Sequence, residues 1–340
     1  MKDSLNIAIA GATGYVGLEL IKILSNHPNA NILYLCAQKT IGKSINSLDK
    51  SIKKKFPKVS KISKINWDLI NVIFSALPNG EAQKIAINIP KHVKLIDLSA
   101  DFRLDSINEY KKWYKVDHLS KKLNKKSIYS ISEFVKNKLF SAKIISCPGC
   151  YPTSVQIPLI PLVKNKMVKF NNIIIDSKSG YSGAGKNIKN KFKFKNLLNS
   201  VSAYSIGSHR HMAEIDQELS KAAKKKINVH FTPHLIPMFR GILSTIYLET
   251  ADNSNAKKVY DFLKRYHKNN YFVKIAKFNT SIATGDVINS NFCKISVCLD
   301  RFKKRIIIIS TIDNLIKGAS GQAVQNMNIA YKLKETTGLV

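Results

Sequence analysis

Acidic residues are scarce in this chain: 22 Asp and Glu stand against 55 Lys and Arg, for a formal net charge of +33. An excess of that size invites a nucleic-acid reading, but arginine is scarcer still. Only Arg103, Arg210, Arg240, Arg265, Arg301 and Arg305 carry a guanidinium, and base readout favours that planar fork over the lysine point charge. The lysines are scattered among many Asn and Ile, the mixture an AT-rich coding sequence produces, and runs such as 53–55 and 224–226 read as solvated surface. No nucleic-acid partner is expected. Long apolar runs are also missing: none approaches the roughly 20 residues a bilayer span needs, so no membrane partner is expected. The opening segment MKDSLNIAIAGATG enters a strand with no signal-peptide core or cleavage site, which predicts a cytoplasmic protein. In that compartment five cysteines stay reduced and are structural, catalytic or metal-binding.

What is present is organised in two parts. A chain of 340 residues exceeds one ordinary core, so two domains are expected. The apolar runs at 5–11, 31–37, 69–77, 93–99 and 143–149 suit strands buried on both faces of a parallel sheet. Between the first two, Val16, Leu20, Ile23 and Leu24 recur at helical spacing, giving a βαβ start. The runs at 171–180, 241–250, 293–300 and 305–313 predict a second, mainly antiparallel sheet. The fold class is thus α/β: a Rossmann-type doubly wound sheet (1–149 plus about 315–340) with a second α+β domain (150–314). An amphipathic helix over about 319–333, with Ala319, Ala323, Met327 and Ala330 on one stripe, is expected to return to the first domain.

GATGYVG (11–17) follows a predicted strand and opens a predicted helix, the context in which a glycine-rich match is informative. Gly11 permits the tight turn, Gly14 lets backbone approach a pyrophosphate, and Gly17 lets helix and strand pack closely. An NAD site usually carries Asp or Glu at the end of the second strand. No acid lies between Leu35 and Thr40, and Gln38, Lys39 and Thr40 suit a 2′-phosphate, which points to NADP. GYSGAGKN (180–187) nearly spells a P-loop, but Asn187 stands where Ser or Thr must hold Mg²⁺. A loop approaching a phosphate or nicotinamide fits it better.

CPGCYPTS (147–154) offers a redox pair, half a metal site or a single nucleophile. Pro148 and Gly149 force a turn, and Pro152 suits the first turn of a helix. Cys150 then sits at a helix N-terminus, where the local field favours thiolate, while Cys147 ends the strand and faces inward. HRHMAEI (209–215) supplies His209 and His211 around Arg210 as proton-handling partners. No second Cys or His pair has zinc spacing, so no metal is expected. A thioredoxin-like pair does not suit a preceding Rossmann turn.

Taken together, GATGYVGLEL, LSADFRL (98–104), PGCYPTS, SGYSGAGK, HRHMAEI, PHLIPMFRGI (233–242) and NLIKGASGQAVQNMNI (314–329) resemble the N-acetyl-gamma-glutamyl-phosphate reductases of arginine biosynthesis, within the aspartate-semialdehyde-dehydrogenase-like superfamily. The resemblance runs in order along essentially the whole chain. It implies that NADPH reduces an acyl phosphate to an aldehyde and releases phosphate. Cys150 would attack to form a thioester, and hydride would convert it to a thiohemiacetal that collapses to the semialdehyde. His211 is favoured as proton donor, with His209 as a substrate contact. Arg103, Arg210 and Ser182 are implied for substrate, while Arg240 alternatively pairs structurally between domains. Thr13, Tyr15, Val16, Ser75, Pro78, Gly183, Gly185 and Asn314 join the glycine turn, Gln38 and Lys39 in the implied cofactor pocket. The family also implies a homodimer or homotetramer.

One departure is Cys147, where the family usually has Asn. It is either a buried spectator thiol or a resolving thiol that oxidant closes onto Cys150. Within the same class, an aspartate-semialdehyde dehydrogenase or a longer-chain acyl-phosphate reductase would share the turn, the Cys and a His. From other classes, a cationic nucleic-acid-binding or an NADP-binding protein would give no reason for a thiolate beside two histidines.

Overall fold

Runs rich in Ile, Val and Leu pair into a sheet buried on both faces at the start of the chain. The computed structural model describes residues 4–186 and 199–340. These divide into two compact units, one of residues 1–148 with 319–340 and one of 149–318.

The first unit holds six strands: β1 (Leu5–Ala10), β2 (Ala30–Cys36), β3 (Val72–Ser75), β4 (Lys94–Asp97), β5 (Ile128–Tyr129) and β6 (Ile144–Ser146). All pair in parallel in the order β2-β1-β3-β4-β6-β5. The chain moves outward from β1 on one side to β2 and on the other to β3, the switch point at which doubly wound sheets take ligands. One face packs Ile7, Ile9, Phe74, Ile96 and Ile145 against the helices Tyr15–Ser25 and Gly321–Ala330. The other sets Ala8, Ile73, Leu95 and Ile144 against the helix Glu81–Asn88.

The returning helix corrects an expectation. It is not amphipathic: all ten residues of Gly321–Ala330 are buried. Its polar side chains are absorbed by hydrogen bonds rather than turned to water. Asn326 Oδ1 accepts from Ser130 and Ser132 hydroxyls (both 2.7 Å), Asn328 Oδ1 meets His27 Nε2 (2.8 Å), and Gln325 Nε2 donates to Glu133 and Glu335.

The second unit carries β7 (Ile174–Gly180), β8 (Ser202–Ala203), β9 (His230–Ile236), β10 (Ile242–Glu249), β11 (Val273–Ile275), β12 (Cys293–Leu299) and β13 (Arg305–Ile312). Their order is β11-β12-β13-β10-β7-β9-β8, with parallel pairing only at β11–β12 and β7–β9. The helices Cys150–Lys164 and Ala256–Tyr266 cover one face. Strands β5, β8, β9 and β11 escaped sequence reading. Three are two or three residues long, and β9 alternates polar residues around Pro233, which demotes it by pattern.

At the C-terminal ends of β3, β4 and β6, Ser75, Asp97 and Ser146 stand in register, all fully buried. Asp97 Oδ1 accepts the Ser99 N–H (2.9 Å), and its other oxygen has no hydrogen-bond partner among the described residues. Burial first, and the charge of Asp101 second, push this carboxyl up to about 7. The sign is opposite to that of a salt-bridged aspartate: the folded chain holds the proton more tightly than the unfolded chain. This contribution is complete below the unfolded carboxyl's pKa and is lost as pH rises towards 7, on the order of 4 kcal/mol in all. Asp97→Asn should therefore gain stability relative to the parent as pH rises from about 4 to 7; parallel urea midpoints across that range measure it, and parallel curves would contradict it.

Candidate active site

The glycine turn lies in the first unit. Gly11 adopts φ +83°, and a Cβ there would collide with the Ala76 carbonyl just beyond β3, so only glycine fits. A Cβ at Gly17 would collide with Gly11 and Ala12 backbone. Around Gly14 a Cβ would meet only Gly11 O, at 3.6 Å; that glycine leaves space facing outward. Gly14 caps the helix Tyr15–Ser25 with no side-chain bond and no acid in the first turn, so the positive helix end suits a phosphate. Beyond β2 opens a cavity of about 340 Å³ lined by Gln38, Lys61, Ser63, Leu77 and Glu81 among others. The glycine turn and the end of β2 are the places where a doubly wound sheet holds a dinucleotide, and the residues present suit one.

Of the other residues expected there, Thr13 Oγ1 meets Thr40 Oγ1 (3.5 Å), Tyr15 and Val16 begin the helix, and Lys39 and Pro78 are exposed. Ser75 is interior. Arg103 is nearly buried: its Nε donates to Cys147 O and its Nη2 to Leu98 O (both 2.9 Å). The guanidinium ties together the ends of β4 and β6.

Cys147 is also interior. Asn326 Nδ2 donates to its sulfur (3.6 Å), and burial pushes the thiol up to about 12. A buried, protonated thiol is not an attacking group, which favours the spectator reading. Asn326 supplies the side-chain amide that residue 147 lacks.

The second unit begins with the candidate nucleophile. Cys150 opens the fifteen-residue helix Cys150–Lys164, capped by Gly149 with no acid in the first turn. It shares a pocket of about 320 Å³ with Tyr151, Ser179, Gly183, Tyr204, Ser208, His209, Arg210 and His211. Gly149 is required by packing, because a Cβ there would collide with the His211 imidazole. Gly318 is required likewise, since its Cβ would come within 2.8 Å of Cys150 Cβ.

Both imidazoles are held by rings. The His209 and His211 centroids lie 4.7 Å apart, nearly perpendicular, with Tyr151 edge-on to both and Tyr204 and Phe231 against His209. Tyr204 donates to Tyr151 Oη (3.2 Å), and Tyr151 to His234 O (3.2 Å); burial raises both phenols, keeping them protonated. His209 Nδ1 accepts the His211 N–H (3.1 Å), which sets its proton on Nε2. Burial, then the Arg210 charge, push His209 down to about 4, so it is neutral near pH 7.

Sequence reading missed Glu214, one helical turn beyond His211 in HRHMAEI. It is fully buried. Its Oε2 accepts the Gly149 N–H (2.9 Å), its Oε1 lies 3.9 Å from His211 Nε2, and its carbonyl accepts from Gln156 Nε2 (3.0 Å). The i,i+3 spacing to His211 was the available signal.

Ser182 and Asn314 meet behind the pocket: Asn314 Nδ2 donates to Ser182 Oγ (2.9 Å), and its Oδ1 accepts the Gly241 N–H (2.7 Å). Gly183 sits beside them; Gly185 has φ +79° and open space around it. Residues Tyr181–Ala184 form a single 3₁₀ turn, and Asn187 lies outside the described residues. Arg240 bonds to Asp313 (3.2 Å) and Asn289 (3.0 Å), all within the second unit. Among the described residues no cluster of His, Cys, Asp or Glu is arranged for a metal ion, and no helix is long and apolar enough to cross a membrane.

This division of labour has counterparts. Residues 6–142 match the family model described as semialdehyde dehydrogenase, NAD binding domain, and residues 150–314 that described as semialdehyde dehydrogenase, dimerisation domain. Aspartate semialdehyde dehydrogenase II of Vibrio cholerae shares the fold with a TM-score of 0.72 at 19% identity, over 97% of this chain and 99% of that one. The Candida albicans enzyme with NADP gives 0.67 at 17%, with the same coverage. The chain is thus built as a semialdehyde dehydrogenase is. Among sequence relatives, the N-acetyl-gamma-glutamyl-phosphate reductase of Thermoanaerobacter pseudethanolicus is 44% identical over 340 residues, 98% of each chain. The probable chloroplastic N-acetyl-gamma-glutamyl-phosphate reductase of Arabidopsis thaliana is 41% identical over 340 residues, 100% of this chain and 85% of the relative. The chain belongs to the N-acetyl-gamma-glutamyl-phosphate reductase family, and with it to the oxidoreductases.

Glu214→Ala should leave the Gly149 N–H buried without its acceptor, lowering stability by about 1–3 kcal/mol. Glu214→Gln, whose amide oxygen still accepts, should lose less. Denaturant midpoints rank the two, and equal losses would deny Glu214 this role.

Proposed function

We propose that this chain catalyses the NADPH-dependent reductive dephosphorylation of N-acetyl-glutamyl 5-phosphate to N-acetylglutamate 5-semialdehyde, in arginine biosynthesis, through a thioester on Cys150. The observation that carries the reading is the shared pocket: Cys150 opens a helix with no acid of its own in the first turn, and His211 is set so tightly behind it that residue 149 must be glycine.

The helix end favours the Cys150 thiolate, which attacks the acyl carbonyl and expels phosphate. His211, with the Glu214 carboxylate close by, moves the proton between sulfur and the carbonyl oxygen. His209 is neutral near pH 7 with its Nε2–H as donor, which suits a substrate contact better than an acid. Arg210 offers charge at the pocket's rim for phosphate or carboxylate. NADPH, held on the glycine turn, would supply the hydride and leave as NADP⁺. It is preferred to NAD because no acid ends β2, where Gln38 and Lys39 stand exposed.

The two units serve as the NADP-binding domain and the catalytic and dimerisation domain. A homodimer, or a tetramer built from it, is supported by the outer face of the second sheet. There Cys298, Ile307, Tyr247, Ile174 and His230 line up in register across five strands. Ile174 and Tyr247 are exposed beside a groove of about 350 Å³. A cytoplasmic location accords with five cysteines that are all free thiols.

The decisive assay is the reverse reaction. N-acetylglutamate semialdehyde, phosphate and NADP⁺ should yield NADPH absorbance with the parent protein and none with Cys150→Ala. Signal from aspartate semialdehyde instead would move the substrate assignment, and phosphate-independent signal would end the thioester reading. His211→Asn should lower kcat by about 10²–10⁴-fold, whereas His209→Asn should chiefly raise the substrate KM. The reverse pattern would exchange their roles.

A further inference from the structure

The first unit buries a second polar assembly that the thioester chemistry does not use. It is centred on Asp101, which is fully buried. Asp101 Oδ1 accepts the Gly80 N–H and the Tyr110 O–H (both 2.7 Å), and Oδ2 accepts the Gln83 N–H (3.2 Å). Gly80 caps the helix Glu81–Asn88 at φ +90° and has no side chain to cap with. The cap is supplied from 21 residues downstream. Gln83 reinforces it: its Nε2 donates to Tyr110 Oη (2.9 Å), and its Oε1 accepts the Leu119 N–H (2.5 Å). His118 stands edge-on to Tyr110 and bonds to Asp101 O (2.9 Å).

This carboxylate immobilises the segment 76–83. Ala76 donates to Ala10 O (2.8 Å) and its carbonyl lies against Gly11. Leu77 and Glu81 line the cavity that Gln38 also lines. We propose that Asp101 is a positioning residue for the dinucleotide: it holds, without touching ligand, the wall of the nucleotide cavity that runs from the glycine turn to Glu81. This rests on the reading of the first unit as the NADP site. Three donors converge on two oxygens, so an amide cannot replace the carboxylate, because its NH₂ would face a backbone N–H.

The test measures NADPH affinity by calorimetry, together with kcat and both KM values, in the full chain carrying Asp101→Asn or Tyr110→Phe. Asp101→Asn should weaken NADPH binding about tenfold, the scale of one charge-assisted hydrogen bond. The nucleotide KM should rise in parallel, while kcat and the acyl-phosphate KM stay within about twofold. Tyr110→Phe keeps the ring packing and should move the same way, about threefold. Unchanged affinity in the folded variants overturns the proposal, as does a fall in kcat with affinity intact. If circular dichroism finds Asp101→Asn unfolded, Tyr110→Phe decides by the same criteria. Parent protein that binds no NADPH overturns both this proposal and the reading beneath it; parent binding with unaffected variants overturns this proposal alone.

Discussion

The hydrogen bond from Gly149 N–H to the buried Glu214 carboxyl group is the contact on which the arrangement of the second unit's pocket depends. It joins the N-cap of the helix that Cys150 opens to the first turn of the helix that carries His211. A carboxylate out of water is expensive unless its lone pairs are used. Here one oxygen takes the Gly149 N–H and the other faces an imidazole. Imidazole and carboxylate are thus held together, and aromatic rings pack against both histidines.

The same economy governs the first unit. Of the 22 acidic residues, the described residues bury Glu19, Asp97, Asp101, Glu214 and Asp313, several of them at backbone junctions. Asp101 caps a helix that begins with a glycine, and Asp313 takes the Leu315 and Ile316 N–H groups (2.9 and 3.2 Å). Among the described basic residues only Arg103 and Lys317 are buried. The large positive charge is thus a property of the surface, while several of the few buried acids accept from backbone N–H groups. That asymmetry explains why net charge says little about function here.

Local chemistry was legible in the amino-acid sequence. The glycine turn could be recognised because a positive φ and close backbone approach constrain residue type at fixed spacing, and Gly11 and Gly17 meet both demands. The place of Cys150 at a helix start could be recognised because a Pro-Gly turn before a helix puts it there whatever surrounds it. The buried parallel strands were readable as apolar runs. Strand β9 was not, because its pattern is set by burial of alternate residues around Pro233 rather than by composition, and the helix Gly321–Ala330 looked amphipathic because its buried amides find partners outside it.

Roles that rest on distant partners were not legible. Arg103 reads as an anion-binding fork in its motif, yet its fork is engaged by carbonyls at two strand ends. Glu214 and Asp101 look like ordinary surface acids until residues 65 and 21 positions away supply their donors. Residue type and spacing carry whatever depends on local backbone geometry: the glycines, the helix-end cysteine, the two kinds of sheet. Which polar group is buried, and against what, follows from packing between segments that no local pattern encodes. It took the folded chain to assign His209 its protonation state and the buried acids their hydrogen-bond donors.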